Sequence, residues 1–205
     1  MSQLLALLLI SLTLSSCGYK GMHDESGDKT TLSIPYFKGD DKGMLTDAVI
    51  KAIASSGTFS YLSSGGEYIL EGKILSDQTE TIGYQYDKDP LSGKPLHRLT
   101  PNERRSEMTV ALSLIESRSA KVIAGPYNLT ASSDYDFVDE DSLHDLSFYD
   151  QKGEKQSVLA FSLGQLESAE GAKSASLPPI YHQLAEQIAE GLSSILKAPR
   201  EEKAP

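Results

Sequence analysis

The apolar pattern of this 205-residue chain predicts an α+β domain: a roughly four-stranded, mostly antiparallel sheet with two helices packed on one face. Three observations carry that expectation. Two segments repeat their apolar residues at helical spacing. The segments between them alternate apolar and polar residues at strand spacing. Three of those strand-like runs follow one another directly, an order that favours a meander over alternating strands and helices.

The elements follow in order. In "TLSIPYF" (31–37), Leu32, Ile34 and Tyr36 alternate with Ser33, Pro35 and Phe37. Proline cannot donate to a sheet ladder, so this strand is expected at an edge or bulged at Pro35. After the turn "GDDKG", Leu45, Ala48, Val49, Ala52 and Ile53 fall at i, i+3, i+4, i+7 and i+8, one apolar helical stripe that Gly57 stops. "EYILEGKILSDQTETIGYQY" then places Tyr68, Leu70, Ile74, Ile82, Tyr84 and Tyr86 on one face of an extended run, with a bend expected in its polar middle, Ser76 to Glu80. Residues 87–105, "DKDPLSGKPLHRLTPNERR", lose periodicity and read as a long loop. Alternation resumes with Met108, Val110, Leu112 and Leu114. "SRSAK" turns the chain, and "VIAGPYNLTASSDYDF" returns with Ile123, Tyr127, Leu129, Ala131, Tyr135 and Phe137 on its odd positions, a hairpin with a bulge or edge at Gly125-Pro126. The acidic "VDEDSLHD" reads as solvated, and "QSVLAFSLGQLES" as either a helix or a short strand. Tyr181, Leu184, Ala185, Ile188, Leu192 and Ile195 form the second helical stripe, with Pro178-Pro179 at its start.

Ahead of the domain, "MSQLLALLLISLTLSS" is uncharged and apolar from Leu4 to Leu14. It is too short for a transmembrane helix, which needs about 20 apolar residues, and suits the hydrophobic core of a secretion signal. Leu14, Ser15 and Ser16 precede Cys17, the one cysteine in the chain. The order leucine, small, small, cysteine resembles the lipobox of bacterial lipoproteins, in which the thiol receives a diacylglyceryl group and the peptide is cut before it. The other reading is a buried leader helix with a chance cysteine. On the first reading residues 1–16 are a signal peptide, 17–30 a lipidated tether, 31–198 one domain and 199–205 a disordered tail. With Cys17 acylated, no thiol is left for a disulfide or a metal.

The net charge of −10 argues against a nucleic-acid partner and against broad adhesion to anionic lipid. No phosphate loop and no nucleophile elbow is present, and the four histidines, His23, His97, His144 and His182, lack metal-ligand spacing. The expectation is a non-enzyme without cofactor or metal. One cluster departs from the acidic background. Between residues 88 and 105, Lys88, Lys94, Arg98, Arg104 and Arg105 face only Asp89 and Glu103. Arginine binds phosphate as a fork and lysine as a point charge, so Lys94, Arg98, Arg104 and Arg105 are candidate ligands for a phosphorylated glycolipid. A solvated loop of ordinary surface charge is the alternative.

Taken together, Cys17-Gly18-Tyr19, "LSIPYFKGDDKGMLTDAVIKAIASSG", "EYILEGKIL" and "IYHQLAEQIAEGLSSIL" resemble, in that order, the LptE-type lipopolysaccharide-assembly lipoproteins. Where that family carries asparagine-x-threonine after its first strand, this chain has Gly39-Asp40-Asp41. The resemblance implies a lipid-anchored plug at the periplasmic side of the outer membrane. Its partners would be an LptD-like β-barrel, which it helps to assemble, and lipopolysaccharide in transit. Gly18 behind the lipidated cysteine agrees with outer-membrane delivery. "SIPYF" is also similar to the opening strand of two other kinds of envelope lipoprotein, curli-secretion-like pore subunits and peptidoglycan-synthase activators. Those contain a parallel sheet with more alternating helices.

Overall fold

A computed structural model describes residues 29–89, 91–139, 142, 147–157 and 169–197. Cys17, most of the tether, the ambiguous stretch 158–168 and the tail from 198 lie outside the described residues. Among the described residues nine elements follow one another: β1 (Thr30–Ser33), α1 (Met44–Ser55), β2 (Phe59–Leu62), β3 (Tyr68–Lys88), β4 (Pro95–Glu116), β5 (Lys121–Asp136), β6 (Ser147–Tyr149), β7 (Lys155–Ser157) and α2 (Ala169–Lys197).

The class is the expected α+β, with two helices on one face of a sheet. That sheet has five strands and is mixed, in the order β2-β1-β3-β4-β5. The strands β3, β4 and β5 form the antiparallel meander read from the sequence. The fifth strand is β2, inside the short connection after α1. It pairs parallel with β1, and β1 pairs parallel with β3. So β1 is an inner strand rather than an edge. Its two ladders end at Ser33, before Pro35, whose missing donor is therefore never required. Beyond it the chain returns to β3 for one bridge: the Lys38 amide donates to the Gly72 carbonyl and the Ile74 amide to the Lys38 carbonyl, both at 2.9 Å.

That return lays the Phe37 ring flat on Gly72. A Cβ built there would stand 2.5 Å from the ring, so only glycine permits the contact. Around it sits one core: Leu32, Ile34, Tyr68, Leu70, Val110, Leu112 and Leu114 from the sheet, Leu45, Val49 and Ile53 from α1, and Ile180, Leu184, Ile188 and Leu192 from α2. The α1 stripe is as read, and Gly57 follows its end at φ 67°. The α2 stripe is also as read, except that Ile180 takes the buried place and Tyr181 is partly exposed.

Four further readings change. First, α2 spans Ala169–Lys197, so Pro178 and Pro179 lie inside the helix rather than at its start. Its first turns bury Ala172 and Ser176, small residues whose weak apolar signal hides the stripe. Second, the expected bend in β3 is a β-bulge. Ile74 pairs with Val110 but Asp77 with Met108, three residues against two, so the strand turns over. Asp77 now faces α2, where Lys173 meets it at 3.5 Å. Ile82, Tyr84 and Tyr86 consequently do not continue the buried face of Tyr68 and Leu70. Third, the loop at 87–105 is largely strand, because β3 runs to Lys88 and β4 starts at Pro95. Fourth, the acidic stretch is not wholly solvated: Ser142 is buried, with its hydroxyl 3.4 Å from Asp87.

Candidate functional site

At roughly 3.3 Å per residue, the 21 residues of β3 and 22 of β4 make strands about 70 Å long. β5 pairs with β4 only as far as Glu103–Asp136, so the outer part of the β3–β4 hairpin has no third strand. The result is a two-stranded arm running on from the helix-covered body. Alone such a ribbon is marginal in water. Here the segment after β5 braces one side: the Phe137 amide donates to the Asn102 carbonyl at 3.0 Å, and Asp87 and Thr100 are both buried, Asp87 against Ser142.

The other side of the arm is open. Tyr84 pairs with Pro101 and Tyr86 with Leu99, so these four share a face. Tyr84, Tyr86 and Leu99 are 61%, 59% and 57% exposed, and Leu91 in the connecting turn 69%. The sequence reading put both tyrosines on one face with Tyr68 and Leu70 and took Leu91 and Leu99 as loop. The signal available was the run of alternating aromatics, and the bulge that sends it outward was not visible.

The turn itself is built by Asp89. Its Oδ1 accepts hydrogen bonds from the amides of Leu91 and Ser92 and from the Ser92 hydroxyl, at 2.7 to 3.0 Å. The Ser92 bonds hold this carboxyl below the usual carboxylate range. Asp89 therefore organises the turn.

The four candidate cations are not gathered into one cluster. Lys94 stands in the turn and Arg98 on the exposed outer part of β4. Arg104 and Arg105 sit further back, where all three long strands pair. The Arg104 guanidinium lies 4.2 Å from the centre of the Phe137 ring, a cation–π contact. Arg105 is clamped by the carboxylate opposite it on β5: Nε to Asp134 Oδ1 is 2.7 Å and Nη2 to Oδ2 is 2.8 Å. Those hydrogen bonds raise the Arg105 pKa and hold the Asp134 carboxyl low. The fork of Arg105 is thus already filled by a carboxylate.

Concavities also lie among the described residues of the body. A groove of about 610 Å³ separates the helices, lined by Met44, Lys51, Pro178, Tyr181 and Glu186 among others. Burial raises the Tyr181 pKa there. His182 and Glu186, expected as a surface pair, stand exposed on α2 with Nε2 and Oε1 3.5 Å apart. A smaller apolar crevice of about 280 Å³ opens between α2 and the β4–β5 side of the sheet.

Fold and site together define a two-helix, mixed-sheet α+β domain carrying an aromatic and cationic hairpin arm. No family model matches the chain, and no curated protein matches it in sequence. Among solved structures it is similar to a minor lipoprotein from Acinetobacter baumannii, at 16% identity and a TM-score of 0.44 over 81% of this chain and 92% of that one. A candidate lipoprotein from Caulobacter crescentus aligns at 14% identity and a TM-score of 0.48, over 82% and 92%. The rare lipoprotein B from Shewanella oneidensis aligns at 15% identity and 0.39, over 80% and 94%.

Proposed function

We propose that this chain is a lipid-anchored lipoprotein of the LptE type, held at the outer membrane and facing the periplasm. On this reading it works without catalysis, as a plug. The helix-covered sheet fits inside an LptD-like barrel and helps that barrel assemble, and the arm meets lipopolysaccharide in transit. The observation that carries the reading is the arm, an extension of the sheet that brings cations away from an acidic body. The antiparallel meander also favours it over the curli-secretion-like and peptidoglycan-synthase-activator classes, because the one parallel β-α-β unit here is not repeated.

The test is capture from detergent-solubilised envelopes with the acylated chain as bait. A co-purifying barrel of LptD type is the expected result. A peptidoglycan synthase or a self-assembled ring would replace this reading with its rival. Within the arm, Lys94→Glu, in the exposed turn, should weaken lipopolysaccharide binding more than Arg105→Glu, whose fork Asp134 already fills.

A further inference from the structure

We infer that the tip of the β3–β4 arm is a docking surface for a bilayer of anionic phospholipid, entering its headgroup layer independently of any barrel partner. Two properties of the tip point there. The first is its exposed apolar face. Tyr84, Tyr86 and Leu99 share one side of the ribbon with Pro101, and Leu91 crowns the turn, each of the three large side chains and Leu91 more than half exposed. Tyrosine has an apolar ring and a polar hydroxyl, the combination that settles at the boundary between acyl chains and water.

The second is charge. Lys88 and Lys94 are exposed beside that face and Arg98, next to Leu99 on β4, is exposed on the opposite side of the ribbon, so the tip carries three cations against the two carboxylates Asp87 and Asp89. Asp87 is buried against Ser142, and Asp89 is hydrogen-bonded into the turn. Elsewhere the chain is strongly acidic, with a total of −10. An anionic surface therefore repels the body and attracts the tip, which presents the arm end-on. The apolar residues and the cations thus select the same partner: a layer that is apolar below and phosphate-bearing above.

This inference holds whether or not a barrel is the partner, so its test and the capture experiment fail separately. The mature chain, residues 17–205, carrying Cys17→Ser is used, so that neither an acyl anchor nor the apolar run 4–14 dominates, and is floated with phosphatidylglycerol-containing or purely phosphatidylcholine vesicles. Binding to the anionic vesicles should exceed binding to the zwitterionic ones by about tenfold or more, at about fivefold per basic residue near the surface. Lys94→Glu with Arg98→Glu should abolish that preference, and Tyr84→Ser with Tyr86→Ser should lower binding about tenfold on both vesicles. Lys42→Glu with Lys51→Glu, an equal charge change at and beside α1, should leave the preference intact. In the same background Leu91→Cys supplies the only thiol, and a polarity-sensitive dye there should shift to the blue on anionic vesicles. Tip variants that bind like the parent, or a dye whose emission stays that of water while the chain is bound, would overturn the proposal.

Discussion

Asp40 and Thr46 show how one buried relay replaces a helix cap. The residue before α1, Gly43, offers no side chain. The Asp40 carboxylate instead accepts from the Thr46 amide at 2.8 Å and from its hydroxyl at 2.7 Å, and the Phe37 amide donates to that hydroxyl at 3.1 Å. One carboxylate thereby ties β1's exit to the first turn of α1, where negative charge also suits the helix dipole. Asp40→Ala should cost about 1–3 kcal/mol in urea unfolding, as buried donors lose their acceptor. A change below a few tenths would show that the relay is incidental. Thr100 is the opposite case, a buried hydroxyl without a partner. Thr100→Val keeps the shape and removes the stranded group, so it should raise stability by about 1 kcal/mol. Asp40 could be read in the sequence as part of a turn. That its carboxylate is buried could not, because burial depends on Phe37 and α1 closing over it.

At the scale of elements, the long strands and α2 carry the lesson. The Arg105–Asp134 pair pins β4 to β5 where the sheet narrows towards the arm. The folded pKa of Asp134 is depressed, so its contribution is present above the unfolded aspartate value, about 3.9, and is lost as pH falls through the lower folded value. Side-chain carbonyl NMR should find Asp134 titrating below an ordinary aspartate, and Arg105→Gln should return it to that range. In α2, Pro178 and Pro179 withhold two amides inside the helix. Pro178→Ala with Pro179→Ala should raise the urea denaturation midpoint, worth about 1–3 kcal/mol, and an unchanged or lower midpoint would show that the prolines do not weaken the helix. The apolar stripe of this helix was legible from Leu184 onward. Its first nine residues were not, because small residues bury little area and two prolines imitate a start.

For the whole molecule, the anchor is the first matter to test. Cys17→Ser should abolish incorporation of labelled palmitate and leave an uncut precursor that keeps residues 1–16. A labelled variant would remove the lipoprotein reading. What the sequence determined by itself was local: two helices from their stripes, the meander from its alternation, the four-residue turn between β4 and β5, and the charge asymmetry that marks residues 88–105. Tertiary structure decided the rest. It gave β1 two parallel neighbours, extended β3 and β4 into an arm, clamped Arg105, and turned Tyr84 and Tyr86 outward through the bulge after Ile74. The physical reason is that periodicity reports the conformation of a segment from its own residues. Register, bulges and facing are set by hydrogen-bonded neighbours far along the chain, and one extra residue in a ladder exchanges the two faces of everything beyond it.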